Sequence, residues 1–223
     1  MNQIQVMILA VFIQFLLCLL AYQYLSHRVD GKCQVKQLFK LNFDFHYMMV
    51  MVITFFLAAF VFIRCFLNEG DSFMRAMMNA GVMIWLGVIG YIDAKERIIP
   101  NSMILIALAV WLVLILLEIF LGGTPWTQLL AFSGIGGLVC GGVLFLIAII
   151  VKSALGMGDV KMFFVLGLLY GLTDTYGILL FSVIIMGIVS VALLIAKKVT
   201  TKTAIPMAPF VVFGFLLSIL AGM

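Results

Sequence analysis

The chain has 223 residues, of which 66% are hydrophobic and only 10% are charged, and its formal net charge is +4. A soluble globular domain is close to half apolar and about a quarter charged, so a water-soluble fold could not cover this much apolar surface. The small net charge gives no basis for nucleic-acid binding. The composition therefore predicts a protein whose surrounding solvent is lipid.

Eight segments are apolar enough to be membrane spans, each of which needs about 20 mostly apolar residues. The first lacks a preceding basic segment and a small-residue cleavage site, so it is predicted to be a retained span and not a signal peptide. The sixth is short, follows Gly156 and Gly158, and ends near Gly171, which favours a tilted segment or one that lines a cavity. In chain order the spans are 4–26, 47–67, 74–93, 102–121, 128–151, 160–172, 175–196 and 204–222.

Long apolar runs without in/out alternation favour helices over a barrel. The predicted fold is therefore all-α, a polytopic helical membrane protein with about eight transmembrane helices. The largest loop, about residues 27–46, is too short for a separate domain. A single membrane domain over residues 1–223 follows.

Basic residues fall almost entirely on one side of this topology. Arg64 and Arg75 are the exceptions, and the others lie in the loops after spans one, three, five and seven or, for Lys161, at the start of the span that follows such a loop. The positive-inside rule places those loops, 27–46, 94–101, 152–159 and 197–203, in the cytoplasm and both termini outside. The cytoplasmic set is Arg28, Lys32, Lys36, Lys40, Lys95, Arg97, Lys152, Lys161, Lys197, Lys198 and Lys202.

Cysteine and histidine offer no metal site. No two of the four cysteines, Cys18, Cys33, Cys65 and Cys140, form a CxxC pair, so a disulfide scaffold or zinc site is not expected. The only histidines are His27 and His46, which excludes a His-Glu-x-x-His metalloprotease and leaves no membrane Ser–His pair for a serine protease. Activity without metal or cofactor is therefore expected.

Two aspartates lie at the cytoplasmic ends of predicted spans. Asp93 ends the third apolar run and Asp159 precedes the sixth, so both belong at one depth although 66 positions separate them. Ionisable residues at membrane depth are costly and tend to mark function. Two carboxylates can hydrolyse a peptide bond without metal, since one ionised group takes a proton from water while the other, protonated, hydrogen-bonds the scissile carbonyl. Close carboxylates favour sharing one proton.

Structural roles are the alternatives for both acids. Asp93 could be a solvated loop acid paired with Lys95 or Arg97. Asp159 could be the N-cap of the sixth helix, a role that is compatible with catalysis. Glu96 is the closest rival to Asp93, although its basic neighbours indicate a surface partner. The remaining acids are predicted to be outer or solvated: Glu69, Asp71, Glu118, Asp174, Asp30 and Asp44.

The residues flanking Asp159 are the candidate substrate-binding residues. Glycine permits close approach of another backbone, so Gly156 and Gly158 could receive an unwound substrate strand by strand-like pairing. Lys161 could tune the aspartate pair or could anchor the helix at the inner face. Pro206 and Pro209 are predicted to shape the start of the last helix.

Three ordered motifs resemble the type IV prepilin peptidase family, a family of membrane aspartyl proteases. The first is Asp93 followed by Ile99-Pro100-Asn101. The second is Gly156-Met157-Gly158-Asp159-Val160-Lys161, with Gly167 downstream. The third is Ile205-Pro206-Met207-Ala208-Pro209-Phe210, which is close to the family's Ile-Pro-Phe-Gly-Pro ending. The resemblance covers roughly residues 80–222, the predicted catalytic core, and it implies that Asp93 and Asp159 are the catalytic pair.

The resemblance also implies a substrate and a place. Such an enzyme removes a short basic leader from pilin or pseudopilin precursors at the cytoplasmic face of the inner membrane, so its partners are these precursors and the lipid bilayer. Longer members carry two CxxC pairs and an N-methyltransferase activity, whereas only Cys33 lies in the corresponding loop here. The chain therefore resembles the short, peptidase-only members. A proton-coupled transporter is the alternative, because paired membrane carboxylates can relay protons.

Overall fold

The computed structural model describes residues 3–26, 28–29, 32–33, 45–68, 72–121, 125–150, 155–197 and 205–222. The chain divides into two compact units, Met1–Tyr91 and Ile92–Ala221. Helices make up nearly all of the described residues, in line with the apolar runs of the sequence, because only internally hydrogen-bonded backbone is stable in lipid.

The first unit contains α1 (Gln3–Ser26), α2 (Phe45–Ile63) and most of α3 (Phe73–Glu96). A small antiparallel hairpin of β1 (Arg28–Val29) and β2 (Lys32–Cys33) follows α1, and a π-helical turn, Arg64–Asn68, extends α2; the sequence predicted neither. Helices α1 and α2 pack together. At Gly87 of α3 there is no room for a Cβ, because it would overlap the Thr54 side chain of α2.

The second unit contains the end of α3, then α4 (Asn101–Leu121), α5 (Trp126–Ile150), α6 (Met157–Ile195) and α7 (Ala208–Leu220). Helix α6 lies at its centre, since it packs against α5, against α7 and, less extensively, against α4. The largest fully buried side chains of this unit include Phe163 and Leu166 on α6 and Phe215 on α7.

Small residues allow α5 and α6 to meet backbone to backbone. Gly136 of α5 and Gly167 of α6 face each other, so that a Cβ on either would overlap the carbonyl oxygen of the other. A Cβ at Gly137 would lie 2.8 Å from Leu168 Cδ2, and one at Gly141 would lie 2.9 Å from Phe164 Cβ. Small residues at helix interfaces are a common means of close packing in membranes, where lipid tails compete with apolar side chains.

Helix α6 is broken at Gly171, whose φ of 71° and ψ of −169° are not helical. This conformation is open essentially to glycine alone, and the ring of Phe132 occupies the place of a Cβ there. The two halves of α6 coincide with the predicted sixth and seventh spans, 160–172 and 175–196. The prediction that the short sixth segment ends near Gly171 is confirmed.

The predicted all-α membrane fold is confirmed, because each predicted apolar segment falls on a helix. Among the described residues, six helices are long and apolar enough to cross a membrane, and α7 is a shorter apolar helix. The number of crossings, the side of the termini and the single-domain organisation stay predictions. Much of the predicted cytoplasmic loops lies outside the described residues, namely 27, 30–31, 34–44, 152–154 and 198–203.

The cysteines of the described helices are buried thiols. Cys18, Cys65 and Cys140 are free of disulfides, and the Asn79 amide donates a hydrogen bond to Cys65 Sγ at 3.3 Å. The Cys33 side chain lies outside the described residues. This burial is typical of cysteines that pack as small hydrophobic residues.

Candidate active site

Asp93 lies in the last turn of α3 and is buried, with 6% of its surface exposed. The helix continues through Glu96 and ends where Arg97 adopts the left-handed φ of 56°, with its N–H bonded to the Asp93 carbonyl at 2.8 Å. The interpretation of Asp93 as a solvated loop acid is therefore wrong. Alanine, lysine and glutamate after Asp93 are good helix formers, so the helix extends beyond the apolar run.

The start of α7 supplies hydrogen bonds to the Asp93 side chain. The Ala208 N–H donates to Asp93 Oδ2 at 3.0 Å, and the Met207 N–H donates to the same carboxylate. The first N–H groups of a helix have no partner within the helix, and they favour a nearby carboxylate. This hydrogen bond joins the third motif, at Ala208, to the first motif, at Asp93, although 115 positions of the chain separate the two residues.

Asp159 lies in the first turn of α6, three positions after the helix cap Gly156. It is therefore not the N-cap itself, as the structural alternative supposed. Its carboxylate accepts a hydrogen bond from the Gly156 N–H, while its own N–H donates to the Gly156 carbonyl at 3.1 Å. In a capping box, the acidic side chain at the third helical position accepts a hydrogen bond from the N–H of the cap residue, and Asp159 makes this bond. Asp159 is partly exposed, in contrast to Asp93.

The structure brings the two aspartates together. Their carboxylates lie close enough for a direct like-charge interaction, although α3 and α6 carry them on separate parts of the chain. Asp93 is buried at the end of one helix, and Asp159 is partly exposed at the start of another. Two carboxyl groups that interact in this way, one of which is partly exposed, can exchange protons with a water molecule.

Two further contacts join the first motif to the second. A Cβ at Gly158 would lie 2.9 Å from the Ile99 Cβ, so only glycine lets the α3–α4 connection lie against α6 here. The Lys161 ammonium donates to Asn101 Oδ1 at 2.9 Å on the surface. At Gly156, an added Cβ would lie 3.0 Å from Asp159 Oδ2. These neighbours lie within the chain, and contact of Gly156, Gly158 and Lys161 with substrate stays a prediction.

The other acids are placed away from the pair or on the surface. Glu96, the rival to Asp93, is exposed. Glu118 lies near the opposite end of α4, about 25 Å from its start at 1.5 Å per residue. Asp174 lies in the second half of α6, beyond the break. Four acids lie outside the described residues: Asp30, Asp44, Glu69 and Asp71. Within the described chain, no group of three or more His, Cys, Asp or Glu could hold a metal ion.

The sequence did not identify the backbone donors of Met207 and Ala208, or the contact partners Ile99 and Asn101, as parts of the site. A signal for the donors exists in the Ile-Pro-Met-Ala-Pro segment. Pro206 and Pro209 carry no N–H, so the backbone donors that they flank are those of Met207 and Ala208. Apart from these prolines, the sequence does not show which backbone groups or neighbouring residues will contact the two aspartates.

Apolar helices and the carboxyl pair define a multi-pass membrane protein with a candidate hydrolytic centre. The model of the type IV leader peptidase family matches residues 80–191, half of the chain. The chain belongs to that family and is a leader peptidase-like membrane protease. The matched residues include Asp93 and Asp159 but end before the third motif. No curated protein and no solved structure gave a match.

Proposed function

We propose that the chain is an aspartyl endopeptidase that cleaves the short basic leader from type IV pilin or pseudopilin precursors. The observation that carries this proposal is the meeting of Asp93 and Asp159, from two separate motifs, in one place. The family processes precursors of this type, which favours the protease over the proton-coupled transporter. The catalytic core is residues 80–222, within a single membrane domain.

In the proposed mechanism the two carboxyl groups act as a unit and share one proton. The ionised carboxylate takes a proton from a water molecule, which attacks the scissile carbonyl carbon. The protonated carboxyl donates a hydrogen bond to the carbonyl oxygen, and the leaving amine receives a proton as the tetrahedral intermediate collapses. No step needs a metal or cofactor. The partly exposed Asp159 gives water its route to the pair.

The proposed place of this reaction is the cytoplasmic face of the inner membrane. Support comes from the charge distribution, since 10 of the 13 basic residues fall in the loops assigned to that side and an eleventh, Lys161, lies at the start of the sixth span beside one of them. With this orientation both termini are outside and the eight predicted segments all cross. Methyltransferase activity is not part of the proposal, because the sequence holds no CxxC pair.

The test is precursor processing by single and double aspartate variants. Asp93→Asn and Asp159→Asn should each reduce cleavage by about 10²–10⁴-fold, since each removes one half of an acid–base pair. The double variant should be little worse than either single one, because residues that act as a unit are strongly non-additive. Cleavage is scored as a mobility shift of a co-expressed pilin precursor at matched membrane levels of enzyme.

Glu96→Gln is the matched control, because Glu96 is an exposed carboxylate three positions from Asp93 on the same helix. It should retain cleavage, as should Glu118→Gln and Asp174→Asn. Normal processing by Asp159→Asn would overturn the aspartyl mechanism. Normal processing by Asp93→Asn, with loss in Glu96→Gln, would move the first catalytic acid to Glu96.

A further inference from the structure

We propose that the N-terminus of α7 is a positioning element, which holds the Asp93 carboxylate in the orientation that cleavage requires by donating its first backbone N–H groups. The proposal rests on the proposed function, because it deepens the role of the same site. According to this proposal, the Ile-Pro-Met-Ala-Pro segment does more than begin α7, because it also orients a catalytic carboxylate. The positioning residues are Met207 and Ala208.

The two prolines leave few donors at this helix start. Neither Pro206 nor Pro209 has an N–H, and the Phe210 N–H is bonded to the Met207 carbonyl at 2.9 Å. The N–H groups of Met207 and Ala208 are therefore the groups available at the start of α7, and both are directed to the Asp93 carboxylate. Two donors on one carboxylate define its plane as well as its place, because charge-assisted bonds are short and directional.

Asp93 has a physical need for such donors. It is buried at the carbonyl end of α3, where the partial charge of the helix is negative and does not favour a second negative group. A buried charged group must be hydrogen-bonded or paired. The N-terminal end of α7 offers the opposite partial charge together with free donors. Without it, the carboxylate would lack these compensating contacts.

Helix α7 is in turn fixed on α6. A Cβ at Gly214 would overlap the Ser182 hydroxyl and would lie 2.8 Å from the Ile178 carbonyl, so α7 and the second half of α6 meet closely. The rings of Tyr170 and Phe215 pack with centroids 5.8 Å apart. Helix α6 therefore carries Asp159 directly and places Asp93 indirectly, through α7. Helix α3 carries Asp93, and α6 contributes to the orientation of its carboxylate by way of α7.

An amide-to-ester exchange tests the donor without changing a side chain. Lactic acid in place of Ala208, introduced by nonsense suppression, removes the N–H that bonds Asp93. The matched control is phenyllactic acid in place of Phe210, which removes an N–H of the same helix turn that bonds Met207 and not Asp93. The hydroxy acid analogue of methionine at Met207 removes the second donor. Each full-length protein is assayed in detergent on a synthetic precursor peptide with a basic leader and hydrophobic helix.

The ester at 208 should lower kcat by about 10–100-fold, since misplacement of a catalytic group by about 1 Å has an effect of this size. KM should change less than about twofold, because the peptide does not need the Asp93 orientation in order to bind. The ester at 207 should lower kcat by a similar factor, because it removes the other donor to Asp93. The control ester at 210 should keep kcat within about threefold, with the same thermal unfolding temperature as the ester at 208.

Unchanged kcat in both the 207 and 208 esters would overturn the inference, and so would an equal loss in the 210 ester, which would mean that only the stability of α7 matters. Asp93→Asn and Asp159→Asn are measured in the same assay. If those variants cleave normally, the proposed function fails. If they are inactive and the esters at 207 and 208 are fully active, the proposed function stands and the positioning role alone is refuted.

Discussion

Replacement of Gly158 by alanine should reduce cleavage through a contact inside the protein. The added Cβ would lie 2.9 Å from the Ile99 Cβ, 3.2 Å from its Cγ1 and 3.4 Å from its Cδ1. Ordinary carbon contacts are about 3.5–4.0 Å. The nearest of the three atoms is fixed to the backbone and cannot rotate away, so the α3–α4 connection or the first turn of α6 must move.

The required movement is about 0.5–1 Å. Asp159 is the next residue after Gly158, and Ile99 follows Asp93 by six positions, so either response changes the separation of the two carboxylates. A displacement of about 1 Å in a catalytic group can lower the rate by about 100-fold. We therefore expect Gly158→Ala to lower kcat by about 10–100-fold while the protein still folds.

The assay compares Gly158→Ala with a second-site variant and a glycine control. Ile99→Gly removes all three atoms that the new Cβ would meet, so the double variant Gly158→Ala/Ile99→Gly should regain most of the activity relative to Ile99→Gly alone. Gly142→Ala on α5 is the matched control, because no atom lies within 4 Å of its Cβ position. It should be neutral or slightly stabilising, since alanine is the better helix former.

Full activity of Gly158→Ala would refute the packing argument. The packing argument would also be refuted if Gly158→Ala lost activity and Ile99→Gly did not restore it, because the loss would then not come from contact with Ile99. That second outcome would favour the other predicted role of Gly158, close approach of a substrate strand. The pair of variants thus separates a contact within the chain from a contact with substrate.

Two further predictions concern the scaffold and the topology. Gly167→Ala should lower the free energy of unfolding by about 1–3 kcal/mol, because its Cβ would meet the backbone of Gly136; thermal unfolding in detergent checks this, and a variant as stable as Gly142→Ala would contradict it. Lys197→Cys, at an exposed position after α6, should react with a membrane-impermeant maleimide from the cytoplasmic side only; reaction from outside only would reverse the proposed orientation.

Hydrophobic patterning predicted the helices well, because in lipid the length and polarity of a segment nearly determine its structure. It located helix ends less well. The third span was predicted to end at Asp93, whereas α3 continues to Glu96, since charged residues that favour helix formation can extend a helix past the apolar run. The break at Gly171 was indicated by the short sixth run. The hairpin after α1 had no signal, because its strands are two residues each.

The sequence indicated the two carboxyl groups of the candidate site but not the residues that contact them. Two acids at one predicted depth indicated a pair, and the structure brings Asp93 and Asp159 together. The donors of Met207 and Ala208 are backbone groups, which any residue except proline possesses, so only the two flanking prolines mark them in the sequence. The contacts of Ile99 and Asn101 depend on how the start of α4 packs against α6, and the local sequence pattern does not determine that packing.

The glycine contact between α5 and α6 has a consequence for the entropy of assembly. Glycine has no side-chain rotamers, so the meeting of Gly136 and Gly167 restricts no side chain, whereas a buried leucine or methionine loses about 0.5–2 kcal/mol of rotamer freedom. Helices in a bilayer are already formed before they associate, so their backbone order is in place as well. The helix that carries Asp159 can therefore be secured by dispersion contacts at little entropic cost.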